Sequence, residues 1–306
     1  RALSSQKAPV SVLDANLEAM LYLLQQKNDH AVVSDTWTLR ALRHRILNLS
    51  ALKEKYTYQS ISRYTRKVND VNCAIRHLSA QQVSLTNFHD SSLSPLRSAD
   101  LKIAAQYPER NVFYPYFSER LKAMIDKNRP SIVGFSLCYL SQALTTFAMI
   151  GFLRRSYPDI KIICGGGLIT SWMHRAGWNN PFQGFIDYCI DGPGEHAVCT
   201  LMGVPAPQMS SIPDYSQLPL NEYLAPGRIL PYSTSSGCLW NRCTFCPEPA
   251  ETNQFMAIPP RQAIQEVHQL TQTFRPLLIH FLDNALSPAF LKEIIANPPG
   301  PLWYGF

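Results

Sequence analysis

Short apolar runs alternate with helical patterns between residues 131 and 203, and this alternation restricts the folds open to the chain. The runs cover residues 131–136, 160–164 and 185–190. A helical pattern covers residues 142–156, and another follows residue 195. Strands that alternate with helices predict an α/β domain with a doubly wound parallel sheet, and such sheets bind ligands at the carboxyl ends of their strands.

The residues before this alternation predict a mainly helical region. Residues 10–13 have the composition of a strand, and Asp14 or Asn16 can cap a helix over residues 17–24. Residues 83–110 are rich in Ser, Asp and Asn, which predicts a long connection. Further helices are expected at residues 36–49, 52–66, 70–82 and 117–127. We therefore assign residues 1–203 to one domain with a helical insertion.

A proline-rich stretch separates this domain from the rest of the chain. Residues 204–228 contain repeated prolines and lack helical periodicity, which predicts a linker. Residues 229–306 form a second region, whose expected strands and helices follow each other at 229–233, 259–270, 277–282, 288–296 and 302–306. This order is typical of the first part of a β/α barrel. The chain starts without Met and ends inside an expected strand, so we expect a fragment truncated at both ends.

Charge and hydropathy exclude two classes of partner. The net charge of +6 comes from scattered Lys and Arg residues, a pattern that does not indicate nucleic-acid binding. No apolar run reaches the roughly 18 residues that a membrane-spanning helix needs, and no secretory signal is evident. We expect no nucleic-acid partner, no membrane partner and a reducing, cytoplasmic location.

Three of the eight cysteines stand close together, at Cys238, Cys243 and Cys246. Three thiolates without a fourth ligand suit a 4Fe-4S cluster that keeps one iron free for chemistry. A zinc site is the alternative, with His268 or His280 as the fourth ligand, although neither lies in a second short-spaced ligand pair. The other cysteines are expected to be small core residues: Cys73, Cys138, Cys164, Cys189 and Cys199.

The segment from Gly237 to Cys246 resembles the signature of the radical S-adenosylmethionine superfamily. The commonest spacing there is Cys-x3-Cys-x2-Cys, whereas four residues separate Cys238 from Cys243. The resemblance implies that Phe245 packs near the adenine and that the strand end with Asp283 and Asn284 contacts the amino group of S-adenosylmethionine. Helix capping is the alternative role for Asp283 and Asn284.

Glycines follow the strands of the first domain and would let a ligand approach the backbone closely. A single such loop would favour a tight turn, but the recurrence on one sheet edge favours binding. The pattern resembles the Rossmann-like cobalamin-binding domain that precedes many radical S-adenosylmethionine enzymes, with its first strand missing here. The resemblance implies cobalamin contacts at Ser136, Leu137, Gln142, Gly165, Gly166, Gly167, Thr170, Gly192, Gly194 and Glu195.

One departure concerns the lower ligand of the cobalt. The chain lacks the Asp-x-His-x-x-Gly motif, so the resemblance implies cobalamin without a histidine ligand. A domain that has lost cobalamin and serves as a scaffold is the alternative.

Together the two resemblances imply a cobalamin-dependent radical S-adenosylmethionine methyltransferase. Reductive cleavage of S-adenosylmethionine would yield a radical that abstracts hydrogen from an unactivated carbon, and methylcobalamin would deliver the methyl group. The expected partners are a small-molecule or peptide substrate and an electron donor such as flavodoxin or ferredoxin. Two alternatives stay open: a cobalamin-dependent rearrangement or cyclisation enzyme, and a non-catalytic zinc-containing binding or scaffold module.

Overall fold

A computed structural model describes residues 3, 9–26, 33, 35–205, 212–246, 248 and 254–306. Within these ranges the chain divides into two compact units. The first unit comprises Leu13–Asn48 and Thr65–Ala206, and the second comprises Arg1–Val12, Leu49–Tyr64 and Pro207–Phe306. Residues 49–64, which we assigned to the first domain from the sequence, thus group with the second unit.

Helices make up most of the chain before the first sheet. Their bounds are α1 Ala15–Gln25, α2 Thr36–Arg43, α3 Arg45–Ala51, α4 Lys55–Tyr58, α5 Ile61–Leu78, α6 Ser98–Gln106 and α7 Tyr114–Asn128. Asp14 caps α1, because its carboxylate accepts a hydrogen bond from the Leu17 amide at 2.9 Å. The expected long connection at residues 83–110 contains α6 and the short 3₁₀ helix Pro108–Arg110.

The strand expected at residues 10–13 is absent from the described chain. The backbone there pairs with a single side chain: Gln217 accepts from the Val12 amide at 2.9 Å and donates to the Val10 carbonyl at 3.1 Å. Val10 and Val12 are also exposed. The prediction was wrong because β-branched residues form a strand only beside a partner strand.

An ion pair joins α1 to α7 in the first unit. Arg120 donates to both carboxylate oxygens of Glu18, at 2.7 and 3.0 Å, and the Tyr116 hydroxyl donates to the same group at 3.0 Å. The hydrogen bond from Arg120 lowers the pKa of Glu18 below its ordinary value of 4.5, against the opposing effect of partial burial. The charged carboxylate therefore stabilises this helix pair.

We expect Glu18→Gln to lower the free energy of unfolding by about 1 kcal/mol at pH 7, a value reduced by the partial exposure of the pair. Because folding lowers the pKa of Glu18, its contribution is complete above pH 4.5 and is lost as the pH falls through the folded-state value. Urea unfolding of both proteins should show a constant difference from about pH 6 to 8 that shrinks below about pH 4.5. A difference that grows on acidification would contradict this account.

The first unit contains a parallel sheet in the order β1-β2-β3, formed by Ile132–Ser136, Lys161–Gly165 and Tyr188–Cys189. Helix α8 (Leu140–Ser156) connects β1 to β2, α9 (Gly167–Met173) follows β2, and α10 (Glu195–Leu201) follows β3. Strand β3 is shorter than the expected run at 185–190. Asp187 is the reason, since its carboxylate accepts from the Ile162 amide at 2.6 Å and takes the place of a main-chain acceptor.

The second unit also contains a parallel sheet, in the order β4-β7-β8, formed by Ile229–Tyr232, Leu278–Phe281 and Leu302–Tyr304. Helix α11 (Pro260–Phe274) connects β4 to β7, and α12 (Pro288–Ala296) connects β7 to β8. A separate antiparallel pair, β5 (Ser235–Ser236) with β6 (Met256–Ala257), lies between β4 and α11. These elements match the expected order of strand, helix, strand, helix and strand.

The core of the second unit lies on one face of this sheet. Alternate strand residues join residues of α11 and α12 in a single buried cluster, which comprises Tyr215, Leu230, Tyr232, Ala263, Ile264, Val267, Leu270, Ile279, Phe281, Leu286, Phe290 and Ile294. Strand residues on the opposite face, such as Ile229 and Tyr304, are exposed. The sheet is thus anchored to its helices through one face.

The prediction of a mixed α/β fold with parallel sheets is confirmed. The strands in the described ranges form open sheets and do not close into a barrel. The doubly wound cobalamin-binding domain and the partial barrel stay predictions. Among the helices in the described part of the chain, none combines the length and the apolar character needed to cross a membrane.

Candidate metal centre and ligand-binding edge

The cysteine loop, residues 238–253, leaves the second sheet at the carboxyl end of β4. Its two ends are joined by the β5–β6 ladder, in which Ser235 pairs with Ala257 and Ser236 with Met256. The Ile258 amide adds a hydrogen bond to the Thr234 carbonyl at 2.8 Å. We call residues 234–237 and 254–258 the neck of the loop. The neck brings together two segments that are about twenty residues apart in the sequence.

Asp283, two residues after the end of β7, binds the neck. Its carboxylate accepts from the Thr234 amide at 2.9 and 3.1 Å, from the Thr234 hydroxyl at 2.7 Å and from the Ser235 hydroxyl at 2.6 Å. The side chains of Asp283 and Thr234 are buried. Asn284 is exposed, and its amide nitrogen lies 3.4 Å from the Gly237 carbonyl oxygen. Two of the three residues expected to bind S-adenosylmethionine, Asp283 and Asn284, therefore contact the neck.

Helix capping does not explain these two residues. Helix α12 starts after Ser287, whose hydroxyl accepts from the Phe290 amide at 3.2 Å. Ser287 is therefore the N-cap of the helix, and the alternative role for Asp283 and Asn284 was wrong.

Gly237 occupies the point where the neck becomes the cysteine loop. Its φ is +70°, and a Cβ atom at this position would lie 2.5 Å from the Gln254 carbonyl oxygen. Both the left-handed backbone and the close approach of the opposite neck segment therefore require glycine. Cys238 follows immediately.

The three thiols of the loop are free and partly exposed. The Asn241 amide lies 3.5 Å from the Cys238 sulfur, and the Cys246 amide donates to the Cys243 carbonyl at 3.3 Å. Across the described ranges, no group of three or more His, Cys, Asp or Glu side chains is arranged to hold a metal ion. The thiols thus share one loop, but their arrangement in this structure does not assemble a ligand set.

The two histidines considered as a fourth zinc ligand lie on other elements of the second unit. His268 lies on α11, and His280 lies on β7 with its ring 5.2 Å from the ring of Tyr304. Neither joins the cysteines in a metal-binding group among the described residues.

Large apolar side chains of the cysteine loop point into solvent. Leu239, Trp240 and Phe245 are 49%, 63% and 89% exposed. The Arg242 guanidinium lies 5.6 Å from the centre of the Trp240 ring. Phe245, expected near an adenine, makes no core contact and is available to a ligand. These side chains therefore differ from Thr234 and Asp283, which are buried where the neck meets the sheet.

In the first unit, two of the residues expected to contact cobalamin pack against each other. Leu137 is fully buried; its amide donates to the Gly165 carbonyl at 2.8 Å, and its carbonyl accepts from Leu168 at 3.1 Å. A Cβ atom on Gly166, where φ is +99°, would lie 2.6 Å from the Leu137 carbonyl oxygen. Glycine at position 166 thus allows the chain after β2 to approach the backbone at the end of β1. This is the tight-turn role that was the alternative to ligand binding.

Two polar residues of the predicted cobalamin set join loops at this edge. The Gln142 side chain accepts from the Cys138 and Tyr139 amides at 3.3 and 3.2 Å and thereby caps α8. The Thr170 hydroxyl accepts from the Gly192 amide at 3.0 Å, which connects the loops that follow β2 and β3. Both residues thus order the carboxyl edge of the sheet.

Other members of the predicted cobalamin set line open space. A Cβ atom on Gly167 or Gly192 would meet no atom within 4 Å, and one on Gly194 would make only an ordinary contact with Ile190. A Cβ atom on Gly165 would likewise make ordinary contacts with Ile190. Ser136 and Glu195 are exposed. The described carboxyl edge therefore offers accessible backbone near Gly167 and Gly192.

Sequence reasoning missed several residues at both candidate sites. Thr234 and Ser235 supply the hydrogen-bond donors to Asp283. Their position just before the cysteine motif was a signal in the sequence that could have indicated this role. In the first unit, the His174 ring lies 3.0 Å from the Asp191 carboxylate. Cys138 was expected in the core, but it is exposed at the end of β1. Its position after the strand, where loops face solvent, could have indicated this.

Comparison with known proteins yields no relative. No protein-family model, no curated protein and no solved structure matches the chain.

Proposed function

We propose that this protein binds a 4Fe-4S cluster through Cys238, Cys243 and Cys246 and acts as a radical S-adenosylmethionine enzyme. The proposal is carried by one observation: three free thiols lie on a single loop that leaves the carboxyl end of the first strand of a parallel strand-and-helix sheet. Active sites of β/α sheets form at this edge. The sequence resemblance supplies the identity of the cluster.

The donor set fits such a cluster in chemistry. Three thiolates leave one iron available, and no fourth cysteine is present on the loop. The sulfurs are not gathered in this structure, so cluster binding requires the loop to rearrange. The exposed loop side chains impose little resistance to that change, whereas the neck keeps the loop ends in place. The same property would let a zinc ion gather the thiols, which makes zinc the competing hypothesis.

A bound cluster would supply an electron to a sulfonium ligand at its free iron. The protein's own contributions are binding and orientation. The backbone at the carboxyl edge of β4 and β7 positions the loop, and Asn284 presents an exposed amide beside it. Phe245 offers an exposed aromatic face that can stack on a purine ring.

Anaerobic reconstitution tests this proposal. Purified protein treated with iron, sulfide and a reductant should gain roughly four iron atoms per chain and a broad absorbance at about 400 nm. Protein titrated with zinc, without iron and sulfide, should retain fewer metal ions per chain after gel filtration than the reconstituted protein retains. Protein that takes up one zinc ion per chain and no iron would instead support the binding or scaffold module.

Cobalamin is the second cofactor of the proposal and would lie on the carboxyl edge of the first sheet. The accessible backbone at Gly167 and Gly192 supports this assignment. We propose that a bound cobalamin serves methyl transfer to a substrate carbon. A rearrangement or cyclisation enzyme is the other reaction class, and the mass of the product distinguishes the two because only methyl transfer adds a carbon atom.

Cobalamin retention gives a separate prediction. Hydroxocobalamin should co-elute with the protein during gel filtration, and Gly167→Leu should reduce the retained amount at least about tenfold by filling the open surface. A Cβ atom at this position meets open space, so circular dichroism should be unchanged. Equal retention by both proteins, or none by either, would contradict the assignment of this edge to cobalamin.

A further inference from the structure

We infer that Asp283 is a positioning residue that holds the neck of the cysteine loop and does not bind a cofactor directly. The resemblance had implied the opposite role, a contact between this strand end and the amino group of S-adenosylmethionine. Asp283 holds the neck whether or not a cofactor is bound, and only the consequence for cluster binding rests on the proposed function.

Three donor groups of the neck already bind the Asp283 carboxylate. It accepts from the amide and the hydroxyl of Thr234 and from the hydroxyl of Ser235, all between 2.6 and 3.1 Å. Asp283 is 4% exposed, so its oxygens have little surface left for a ligand. A ligand ammonium group would have to compete with these donors for a carboxylate that is already buried.

The segment bound by Asp283 leads directly into the cysteine loop. Thr234 and Ser235 stand between β4 and the cysteine loop, and Asp283 stands at the end of the neighbouring strand β7. The bonds therefore attach one side of the neck to the adjacent strand. The Ile258 amide bonded to the Thr234 carbonyl attaches the other side.

These contacts form a continuous path from the sheet to the first cysteine. Asp283 fixes Thr234 and Ser235, the β5–β6 ladder fixes the opposite segment, and Gly237 packs against Gln254 immediately before Cys238. Loss of the Asp283 contacts should thus loosen the neck and move the starting point of the loop. The expected consequence is weaker cluster retention without loss of a cluster ligand.

Two variants remove the contacts in different ways. Asp283→Asn keeps the shape but removes the negative charge, and it puts an NH₂ donor in place of one of the two oxygens that accept from the Thr234 amide. Thr234→Val keeps the Asp283 charge and removes one hydroxyl donor. The matched control is Tyr232→Phe, which removes the buried hydrogen bond of 2.8 Å from Tyr232 to Glu266 on the core side of the same strand.

Amide hydrogen exchange tests the neck without any cofactor. The Ile258 amide should exchange at least about tenfold faster in Asp283→Asn and in Thr234→Val than in the unmodified protein. The exchange rate of the Ile258 amide should change less than about twofold in Tyr232→Phe. Urea unfolding should show that all three substitutions lower the free energy of unfolding by similar amounts, so that the difference in exchange is local to the neck. Unchanged Ile258 exchange in both neck variants would overturn the inference, whether or not the protein takes up iron.

Cluster measurements separate positioning from direct binding. After reconstitution, both neck variants should lose iron to a chelator at least about fivefold faster than the unmodified protein and Tyr232→Phe. Both should also need more S-adenosylmethionine to change the electron paramagnetic resonance spectrum of the reduced cluster. A defect in S-adenosylmethionine response in Asp283→Asn alone, with Thr234→Val normal, would show direct binding and overturn the positioning role.

The remaining outcomes are also decisive. Equal defects in all three variants would show that Asp283 contributes only general stability, which contradicts the inference. If the unmodified protein takes up no iron, the proposed function fails, and Ile258 exchange alone then decides the role of Asp283.

Discussion

Replacing Cys243 with serine should reduce cluster loading from roughly four iron atoms per chain to less than one. Cys243 is the central member of the three-cysteine set, and two thiolates on this loop cannot hold three corners of a cluster. Its side chain is partly exposed and outside the buried core of the second unit, so the fold should persist. Iron and sulfide analysis after anaerobic reconstitution measures the effect, and circular dichroism checks the fold.

Cys138→Ser is the matched control for this experiment. Cys138 is an exposed, free thiol in the first unit and is not part of the cysteine loop. The control should retain full loading, which separates loss of a ligand from loss of any reactive thiol. Full loading of Cys243→Ser, or equal loss in the control, would contradict the ligand assignment.

Replacing Gly237 with alanine should disrupt the neck of the cysteine loop. The left-handed backbone costs a residue with a Cβ atom about 1–2 kcal/mol, and the approach to the Gln254 carbonyl adds an overpacking cost of about 1–3 kcal/mol. The contacted atom is backbone, so a rotamer change cannot relieve it. We expect the free energy of unfolding to fall by roughly 2–5 kcal/mol in urea titrations, with cluster loading reduced at least about fivefold.

Gly300→Ala isolates the backbone contribution to that effect. Gly300 has a φ of +94° and lies in the same unit, but a Cβ atom there would meet no atom within 4 Å. This variant should lose about 1–2 kcal/mol and retain full cluster loading. If Gly237→Ala behaves like Gly300→Ala in both measurements, the close approach of the two neck segments has no functional importance.

Local sequence patterns predicted the elements that carry the site. The apolar runs at residues 229–233 and 277–282 agree with β4 and β7 to within one or two residues, because their alternate side chains must enter the core. Pro260 and Pro288 marked the first turns of α11 and α12, where a missing amide has no cost.

Long-range contacts could not be predicted in the same way. Asp283 and Thr234 are separated by 49 residues, and no local pattern indicates that a carboxylate after one strand binds the segment after another. The role of Gly166 in packing on Leu137 was hidden for the same reason, since an open loop and a close backbone approach both select glycine. Residues 10–13 had a strand composition but depended on a partner that the fold does not provide.

The grouping of residues 49–64 with the second unit shows the same dependence on distant partners. Lys53 pairs with Glu222 at 2.6 Å, and the Tyr58 hydroxyl donates to the Leu224 carbonyl at 3.1 Å. These partners lie in the proline-rich stretch that the sequence identified only as a linker. Side chains that appear in the sequence as an exposed helical surface thus bind a segment more than 160 residues away.

Electron paramagnetic resonance of the reduced, reconstituted protein shows whether the loop holds a 4Fe-4S cluster with one iron open to S-adenosylmethionine. We expect a signal from a reduced 4Fe-4S cluster whose spectrum changes when S-adenosylmethionine is added, because the ligand binds the iron without a cysteine. Cys243→Ser should show neither the signal nor the change. A signal that S-adenosylmethionine leaves unaltered would contradict the radical enzyme, and a protein with bound zinc and no cluster signal would contradict the metal centre itself.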